Sequence, residues 1–397
     1  MKERQGGRGT DTKKGKAKMR SISVWSLSAA VFFIITSASW AVESDVDRLL
    51  QLLVKKGVVT EQEAAEFRAD LAVKKQEEKE AQKEFTLLAA RPMKMSGYTQ
   101  VRYRKDKTIK DTFDIRRARL DIKGDITERF DYQMQVEFGG TGGPFLLDAI
   151  GAYRVNPYMR ISFGQQKIPF SQENLAGDQK METINRSQVV EAMVARGRDV
   201  IGNQNGRDIG VQAAGSILPK DDYYRIDYAL GVFNGSGINR ADRNEQKDFA
   251  GRLVFHPIKD LSLGASYYNG CGNWAIAPST TLFNHDRDRY GGEFAYAHER
   301  VSVKGEYIRG NDGVIKRDGW YLQTAYFLIP NKLQAVFKFD TYDPDRKINK
   351  DEADVYTLGT SWYFNKWAFF QLNYELKDEH GNEIQNDALS GQFTLQF

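Results

Sequence analysis

The sequence has few of the residues on which disulfide scaffolds, metal centres and helical membrane proteins depend. Cys271 is the single cysteine, so the chain cannot form a disulfide within itself. The 4 histidines are scattered, and none has a second ligand at a spacing typical of a metal site, so we expect no metal and no cofactor. The mean hydropathy of −0.56 excludes a bundle of transmembrane helices.

Aromatic residues and glycine are abundant by contrast. The chain of 397 residues has 19 Tyr, 23 Phe and 35 Gly but only 9 Pro, and 41% of its residues are hydrophobic. This combination is typical of strands that are apolar on one face only.

Residues 1–41 have the pattern of a cleaved signal peptide. Basic residues between Lys13 and Arg20 precede the apolar run "VWSLSAAVFFIITSA", and "SWA" supplies small residues for cleavage after Ala41. Met19 is an alternative start. A membrane anchor helix is the competing interpretation, but it needs about 20 apolar residues and this run is shorter. We therefore expect an exported protein.

The apparent basicity of the chain belongs to this leader. The whole sequence has a formal net charge of +4, whereas residues 42–397 carry 49 basic and 51 acidic residues. A nucleic-acid partner is therefore not expected, because such partners require a clear excess of basic residues.

Residues 42–93 are predicted to form a periplasmic helical segment, with helix over 45 to about 84. An apolar stripe with helical spacing runs from Val46 to Val54, and Gly57 follows as a helix terminator. Thr60 and Glu63 have the spacing of a capping box that begins a second helix. The charged run "KKQEEKEAQKE" leaves two interpretations open, a coiled-coil stalk or a solvated spacer.

From residue 94 to 397 the apolar residues recur every second position. We count 16 such segments, most of 9 to 13 residues, which is long enough for a tilted strand to cross a bilayer. The connections between them alternate between short and long. This asymmetry predicts an all-β protein, a 16-stranded antiparallel transmembrane β-barrel in an outer membrane, with its apolar face against lipid, rather than a soluble β-sandwich.

Strict alternation along 112–124 turns Arg117 and Arg119 towards the lumen and Arg116 towards the lipid, and alternation along 146–155 turns Asp148 inward. Residues 94–397 carry 40 basic and 40 acidic residues. Any preference for one sign of charge must therefore depend on where the charges lie.

Residues 168–206 interrupt the strand pattern for about 39 residues, which is too long for a plain connection. In a wide barrel such a loop can fold inward and set the narrowest point; an outer loop on the surface is the alternative. If the loop folds inward, we expect its cations and the one that follows it to face passing solute. They are Lys180, Arg186, Arg196, Arg198 and Arg207.

Four stretches resemble the family of phosphate-selective porins O and P. They are "DIRRARLDIKGDI", "LLDAIGAYR", "FGQQKIPFSQENL" with "INRS", and "GRDIGVQ". The resemblance implies a trimeric, 16-stranded channel with an inward-folded third loop and an anion path lined by arginines. It further implies that the Arg116–Arg117 pair and Arg186 bind the anion while Asp148 keeps the binding weak.

The expected function is passive diffusion of small hydrophilic solutes, preferentially phosphate-like anions, through a homotrimeric porin. A general, weakly selective porin is one alternative, and an envelope tether acting through the helical segment is another. No Ser/His/acid arrangement is present, and "GGTGG" at 139–143 is not followed by a helical pattern, so we do not expect an enzyme.

The chain ends on "DALSGQFTLQF", in which apolar and polar residues alternate up to the last position. We expect this segment to be the last strand and to pair with the first near 94–104, because a barrel must close its edges. The terminal Phe397 resembles the signal read by the barrel assembly machinery.

Overall fold

The computed structural model describes residues 48–89, 93–108, 110–140, 142–275, 280–381 and 384–397. The predicted signal peptide lies outside them. The chain divides into a helical unit that ends at Ala89 and a barrel unit that follows. No helix in the described part of the chain is both long and apolar enough to cross a membrane.

The helical unit confirms the local signals in the sequence. Residues 48–55 are helical, and Gly57 ends this helix with a φ of 68°. Helix α1 spans Glu61–Ala89. Its capping box is present, because the Thr60 backbone N–H donates to Glu63 Oε2 at 2.9 Å and the Glu63 N–H donates to Thr60 Oγ1 at 3.2 Å.

The barrel unit contains sixteen antiparallel strands in one closed sheet, as predicted. The strands are β1 Met93–Asp106, β2 Thr112–Asp125, β3 Phe130–Glu137, β4 Phe145–Asn156, β5 Met159–Lys167, β6 Arg207–Lys220, β7 Tyr223–Phe233, β8 Asp248–Ile258, β9 Leu261–Trp274, β10 Phe283–His298, β11 Val301–Asp312, β12 Ile315–Ile329, β13 Leu333–Asp343, β14 Ala353–Asn365, β15 Ala368–Glu379 and β16 Ala388–Gln396. Between β5 and β6 lie α2 Gln172–Leu175, a 3₁₀ turn Asp178–Lys180, and α3 Gln188–Met193.

The barrel closes where its first and last strands pair. Strand β16 pairs with β1 from Gln396 opposite Tyr98 to Ala388 opposite Asp106. Phe397 completes the seam, because its N–H donates to the Gly97 carbonyl at 2.9 Å and its carbonyl accepts from Gly97 N–H at 3.0 Å. No edge strand is left unpaired at this seam, which is what a strand in lipid requires.

The alternation of side chains is inverted relative to a soluble barrel. On β15, Phe370, Leu372 and Tyr374 are exposed on the outside. The intervening Gln371 and Asn373 are each 1% exposed because they lie inside. Apolar side chains therefore face lipid and polar side chains face the lumen, as the sequence period predicts.

Candidate functional site

The loop between β5 and β6, residues 168–206, folds into the lumen and is held there by an apolar core. Residues of the loop, including four of helix α3, contribute most of it, and lumen-facing residues of the wall complete it. Its members include Phe170, Val189, Val190, Met193, Ile308 and Tyr321. The loop therefore does not lie on the outer surface.

Polar contacts fix the same loop to the far wall. The Ile184 N–H donates to Asn373 Oδ1 at 2.6 Å, and Lys338 Nζ donates to the Asn185 carbonyl at 2.9 Å. Asn373 and Lys338 lie on β15 and β13, at some distance from the strands that bear the loop. The loop thus reaches across the lumen and narrows it.

A single carboxylate, that of Asp178, forms ion pairs with three guanidinium groups where the loop contacts β2. Arg117 Nη2 lies 3.1 Å from Asp178 Oδ1, and Arg119 and Arg186 make shorter ion pairs with the same carboxylate. Arg119 also pairs with Glu137 at 2.6 Å. We call Asp178 with these three arginines and Glu137 the Asp178 cluster.

The charges of the cluster determine the ionisation of Asp178, which lies on the loop outside the strands. Burial alone would raise its pKa, but the charges of Arg117, Arg186 and Arg119 outweigh burial and hold the pKa of Asp178 well below its usual range. The carboxylate therefore stays charged at acidic pH and keeps the loop attached to the wall.

A β-bulge in β2 decides where Arg116 points. Gln100 of β1 is opposite Arg117, whereas Val101 is opposite Ile115, so Arg116 is the extra residue. Ile115 faces outward and is 57% exposed. The alternation restarts after the bulge, and Arg116 and Arg117 both face the lumen. The prediction from strict alternation that Arg116 faces lipid is therefore wrong.

Arg116 differs from the arginines beside it in forming no ion pair with any carboxylate that the structure describes. Its electrostatic neighbours are Arg102, Arg117, Arg186 and Asp178. Its Nη1 atom is buried and has no hydrogen-bond partner among the described residues. Arg102, in contrast, is paired with Asp114 at 2.5 Å. Arg116 thus supplies a positive charge that its surroundings do not neutralise one to one.

Arg207 and Asp148 form a separate, neutral pair. Arg207 Nε and Nη2 each lie 2.8 Å from one carboxylate oxygen of Asp148, the bidentate geometry that suits a guanidinium. Another bulge, at Leu147, precedes Asp148 on β4. The Arg207 side chain is 3% exposed. This pair fixes the point at which the loop returns to the sheet.

The remaining cations of the loop differ in exposure. Arg196 is buried, and its Nε donates to Asn174 Oδ1 at 2.9 Å. Lys180 and Arg198 are exposed, and Arg198 donates to Gln188 Oε1 at 3.3 Å.

These positions correct the expectation that all the cations around the loop face passing solute. Arg186, Arg196 and Arg207 are at most 6% exposed and are occupied by contacts within the protein. The physical reason is that a loop folded into a polar lumen must pair its charges with the wall, since unpaired buried charges are costly. Arg119, which was expected to line the lumen, is likewise buried.

Asp178 and the other carboxylates that receive these arginines were not singled out from the sequence as partners. Asp199, which accepts from Arg287 Nη2 at 2.6 Å, is a second example. A usable signal existed, because a loop that enters an arginine-lined lumen needs acidic residues, and this loop has five. They are Glu173, Asp178, Glu182, Glu191 and Asp199.

The sequence matches the profile of one protein family along the whole barrel. The match to "Phosphate-selective porin O and P" covers residues 95–271 and 265–397. The chain belongs to this family. No protein with a curated description matches the sequence significantly.

Solved outer-membrane proteins share the barrel despite low identity. A loop-deletion variant of OmpT of Vibrio cholerae has 12% identity and a TM-score of 0.57, covering 78% of this chain and 100% of that one. Salmonella typhi OmpF with daunomycin has 11% identity and a TM-score of 0.56, covering 77% and 98%. A Rh. blastica porin variant has 13% identity and a TM-score of 0.52, covering 77% and 100%.

Family and fold together make this protein an outer-membrane porin, a channel for passive diffusion. Its sixteen strands place the apolar face in lipid and the polar face around the lumen, which the loop narrows. A barrel of this size encloses an aqueous path.

Proposed function

We propose that this porin prefers anions, with phosphate-like oxyanions as favoured solutes, and that the preference arises beside Arg116. The observation that carries the proposal is the uncompensated guanidinium at the bulge of β2. A planar, permanently charged guanidinium matches the oxygens of phosphate and carboxylate. The description of the family as phosphate-selective supports the same choice of solute.

The local charge count supports an attractive potential. Arg116 and the three arginines of the Asp178 cluster face two carboxylates, Asp178 and Glu137. This group therefore has two more positive than negative charges, although the barrel as a whole is balanced. A low-dielectric wall focuses the electric field of such an excess of positive charge into the nearest solvent-filled space.

The carboxylate of Asp178 also sets an upper limit on the affinity for an anion. An anion beside Arg116 feels the attraction of several guanidiniums and the repulsion of Asp178. Conduction requires binding that is favourable enough for entry and weak enough for release. The proposed site attracts anions without holding them.

The other predicted site residues have positioning roles in this proposal. Arg119 and Arg186 hold the loop against β2, and Arg207 with Asp148 fixes its return to the sheet. Arg117 has a side chain that is 13% exposed, so it contributes to both tasks. Arg198 is exposed and adds to the field of the lumen without a structural role.

The proposal is tested in planar bilayers with the purified porin. Under a KCl gradient the reversal potential should show that chloride permeates better than potassium, and added phosphate should reduce the chloride current. A general, weakly selective porin would show no reduction by phosphate. Preferential permeation of potassium would contradict the anion preference altogether.

We also propose a homotrimer. An OmpT structure of Vibrio cholerae, described as a trimer form, has a TM-score of 0.55 with this chain at 12% identity. Chemical crosslinking of outer membranes followed by electrophoresis should give a species of three chains. A monomer that resists crosslinking at every reagent concentration would contradict the trimer.

Phe397 is proposed to be the residue through which the barrel assembly machinery recognises the chain. Its backbone closes the seam with Gly97, and its side chain is 65% exposed. Deletion of Phe397 should lower the amount of inserted porin, whereas Phe397→Tyr should preserve it. Equal insertion of the wild type and the deletion variant would contradict this role.

A further inference from the structure

Helix α1 carries an apolar stripe that continues in the pattern of a coiled coil. Phe67 and Leu71 are 52% and 40% exposed, so nothing in the described chain covers them fully. The sequence repeats the same alternating spacing of three and four residues as far as Leu88. With Leu71 at position a of a heptad, Phe67 falls at the preceding d.

The charges flanking this stripe are segregated by sign. Positions g of the heptads are acidic, at Glu63, Asp70 and Glu77. The first two positions e are basic, at Arg68 and Lys75. Each basic residue follows an acidic one by five residues, which is the separation of the g and e positions that meet between neighbouring helices.

This arrangement selects parallel helices in register. In a parallel pair, Asp70 of one helix meets Lys75 of its neighbour, and opposite charges attract. In an antiparallel pair, g positions meet g positions, so acidic residues would face acidic residues. Complementarity between e and g positions sets partner choice and orientation in coiled coils.

We infer that α1 associates with the same helix of other copies of this chain as a parallel, in-register coiled coil. Lys74 and Glu78 occupy core positions in the middle of the stripe. Polar core positions lower stability but specify register. Association then depends on the high effective concentration that a shared assembly provides, and in that respect the inference rests on the proposed trimer.

Cysteine crosslinking of the full-length porin in outer membranes tests this inference. In a Cys271→Ala background, Leu71→Cys places thiols at a core position, and Gln76→Cys places them at position f on the opposite face. We expect Leu71→Cys to form a disulfide between chains at least about tenfold faster on mild oxidation. Equal rates, or no disulfide at Leu71→Cys, would overturn the inference.

Exchanging charges between positions g and e tests whether the helices are parallel. The double exchange also serves as a control for a single variant that loses crosslinking for an unrelated reason. Asp70→Lys should slow crosslinking at Leu71→Cys, and Asp70→Lys with Lys75→Asp should restore it, since opposite charges then face each other again. Failure of the double exchange to restore crosslinking would contradict the parallel register. Crosslinking of the barrel by lysine-reactive reagents reports the trimer separately, so the two proposals can fail independently.

A second, independent feature lies on the outer face of the barrel. A groove of about 460 Å³ runs across β10, β11 and β12. Tyr290, Tyr307, Arg309 and Lys316 line it. A Cβ added at Gly292 would meet no atom within 4 Å, so the floor of the groove is open.

The positive charges of this groove come from two side chains, Arg309 and Lys316. Neither Arg309 nor Lys316 forms an ion pair with a carboxylate in the described ranges. Asp318 is opposite Arg309 across the sheet, but it accepts from Tyr307 OH at 3.0 Å and pairs with Arg346 at 3.2 Å. A positive charge on a lipid-facing strand is unfavourable unless it reaches a polar partner.

The position of the groove identifies that partner. Arg309 lies three residues before the end of β11, and Lys316 is the second residue of β12, at the barrel end that carries the long loops. Long loops face the outside of the cell. We propose that this groove binds a phosphate-bearing lipid of the outer leaflet, with phosphate on Arg309 and Lys316 and acyl chains along the aromatic wall.

Native mass spectrometry of the purified porin with bisphosphorylated lipid A tests the lipid site. Arg309→Gln with Lys316→Gln should weaken retention about tenfold, or about 1.4 kcal/mol. The matched control, Lys332→Gln with Lys366→Gln at the opposite rim, should change it less than twofold. Equal losses, equal retention of a phosphate-free glycolipid, or displacement by inorganic phosphate alone would contradict the proposal.

Discussion

The Asp178 cluster and the Arg207–Asp148 pair hold the same loop but differ in net charge. The pair joins one guanidinium to one carboxylate with two contacts of 2.8 Å, and it is neutral. The cluster joins three guanidiniums to Asp178, one of which also pairs with Glu137, and Arg116 lies beside them. One loop is thus fixed in two ways, and only the cluster, with its excess of guanidiniums, leaves positive charge available to a solute.

The largest effect is expected from Asp178→Asn, which removes the shared countercharge while keeping the shape of the side chain. Breaking a buried ion pair on one side costs about 3–5 kcal/mol, because the remaining charges stay buried. The free energy of unfolding, measured in detergent with urea, should fall by that amount. Release of the loop should also raise single-channel conductance. Unchanged stability and conductance would contradict an anchoring role for Asp178.

Arg207→Met should lower stability by a similar or somewhat smaller amount, about 3 kcal/mol, because it leaves Asp148 buried without its partner. The neutral pair, unlike the cluster, can be replaced as a whole. Arg207→Met with Asp148→Leu should therefore recover most of the loss in the same urea titration. A double variant as unstable as the single one would show that the pair does not act as a unit.

The pH dependence of the free energy of unfolding gives a second test of the role of Asp178. The folded-state pKa of Asp178 lies well below its usual range, so its contribution to stability is complete above the ordinary aspartate pKa of about 3.9. It is lost only as pH falls through the lower, folded-state pKa. The stability difference between wild type and Asp178→Asn should therefore stay constant from pH 7 to about pH 4. A difference that shrinks within this range would contradict the depressed pKa.

The smallest effect is expected from Arg198→Gln. The side chain is exposed, and its one described hydrogen bond, to Gln188, is 3.3 Å long. Exposed substitutions of this kind change stability by less than about 0.5 kcal/mol. A larger loss in the urea titration would show that Arg198 holds the loop together with the buried arginines.

The period of two in the sequence was sufficient to predict sixteen strands, their closure and the interruption at 168–206. Each of these follows from local alternation and from the need to satisfy backbone groups in lipid. The direction of Arg116 could not be predicted in this way. It depends on a bulge, which is a property of the register between β1 and β2 rather than of either strand alone.

The partners of the buried arginines were beyond sequence reasoning for a related reason. Arg186 finds Asp178 only eight positions away, but Arg119 finds it across 59 positions and Arg287 reaches Asp199 across 88. Which carboxylate each cation meets is decided when the loop enters the barrel. The sequence indicates that arginines surround the loop, but not which of them remain uncompensated.

An anion preference that arises at Arg116 is tested most directly by comparing Arg116→Gln with Arg102→Gln in planar bilayers. Both residues lie on neighbouring strands inside the barrel, but Arg102 is neutralised by Asp114 and Arg116 is not. We expect Arg116→Gln to reduce the anion-to-cation permeability ratio and the block of chloride current by phosphate several-fold, and Arg102→Gln to change both far less. Equal effects of the two substitutions, or no effect of Arg116→Gln, would contradict this expectation.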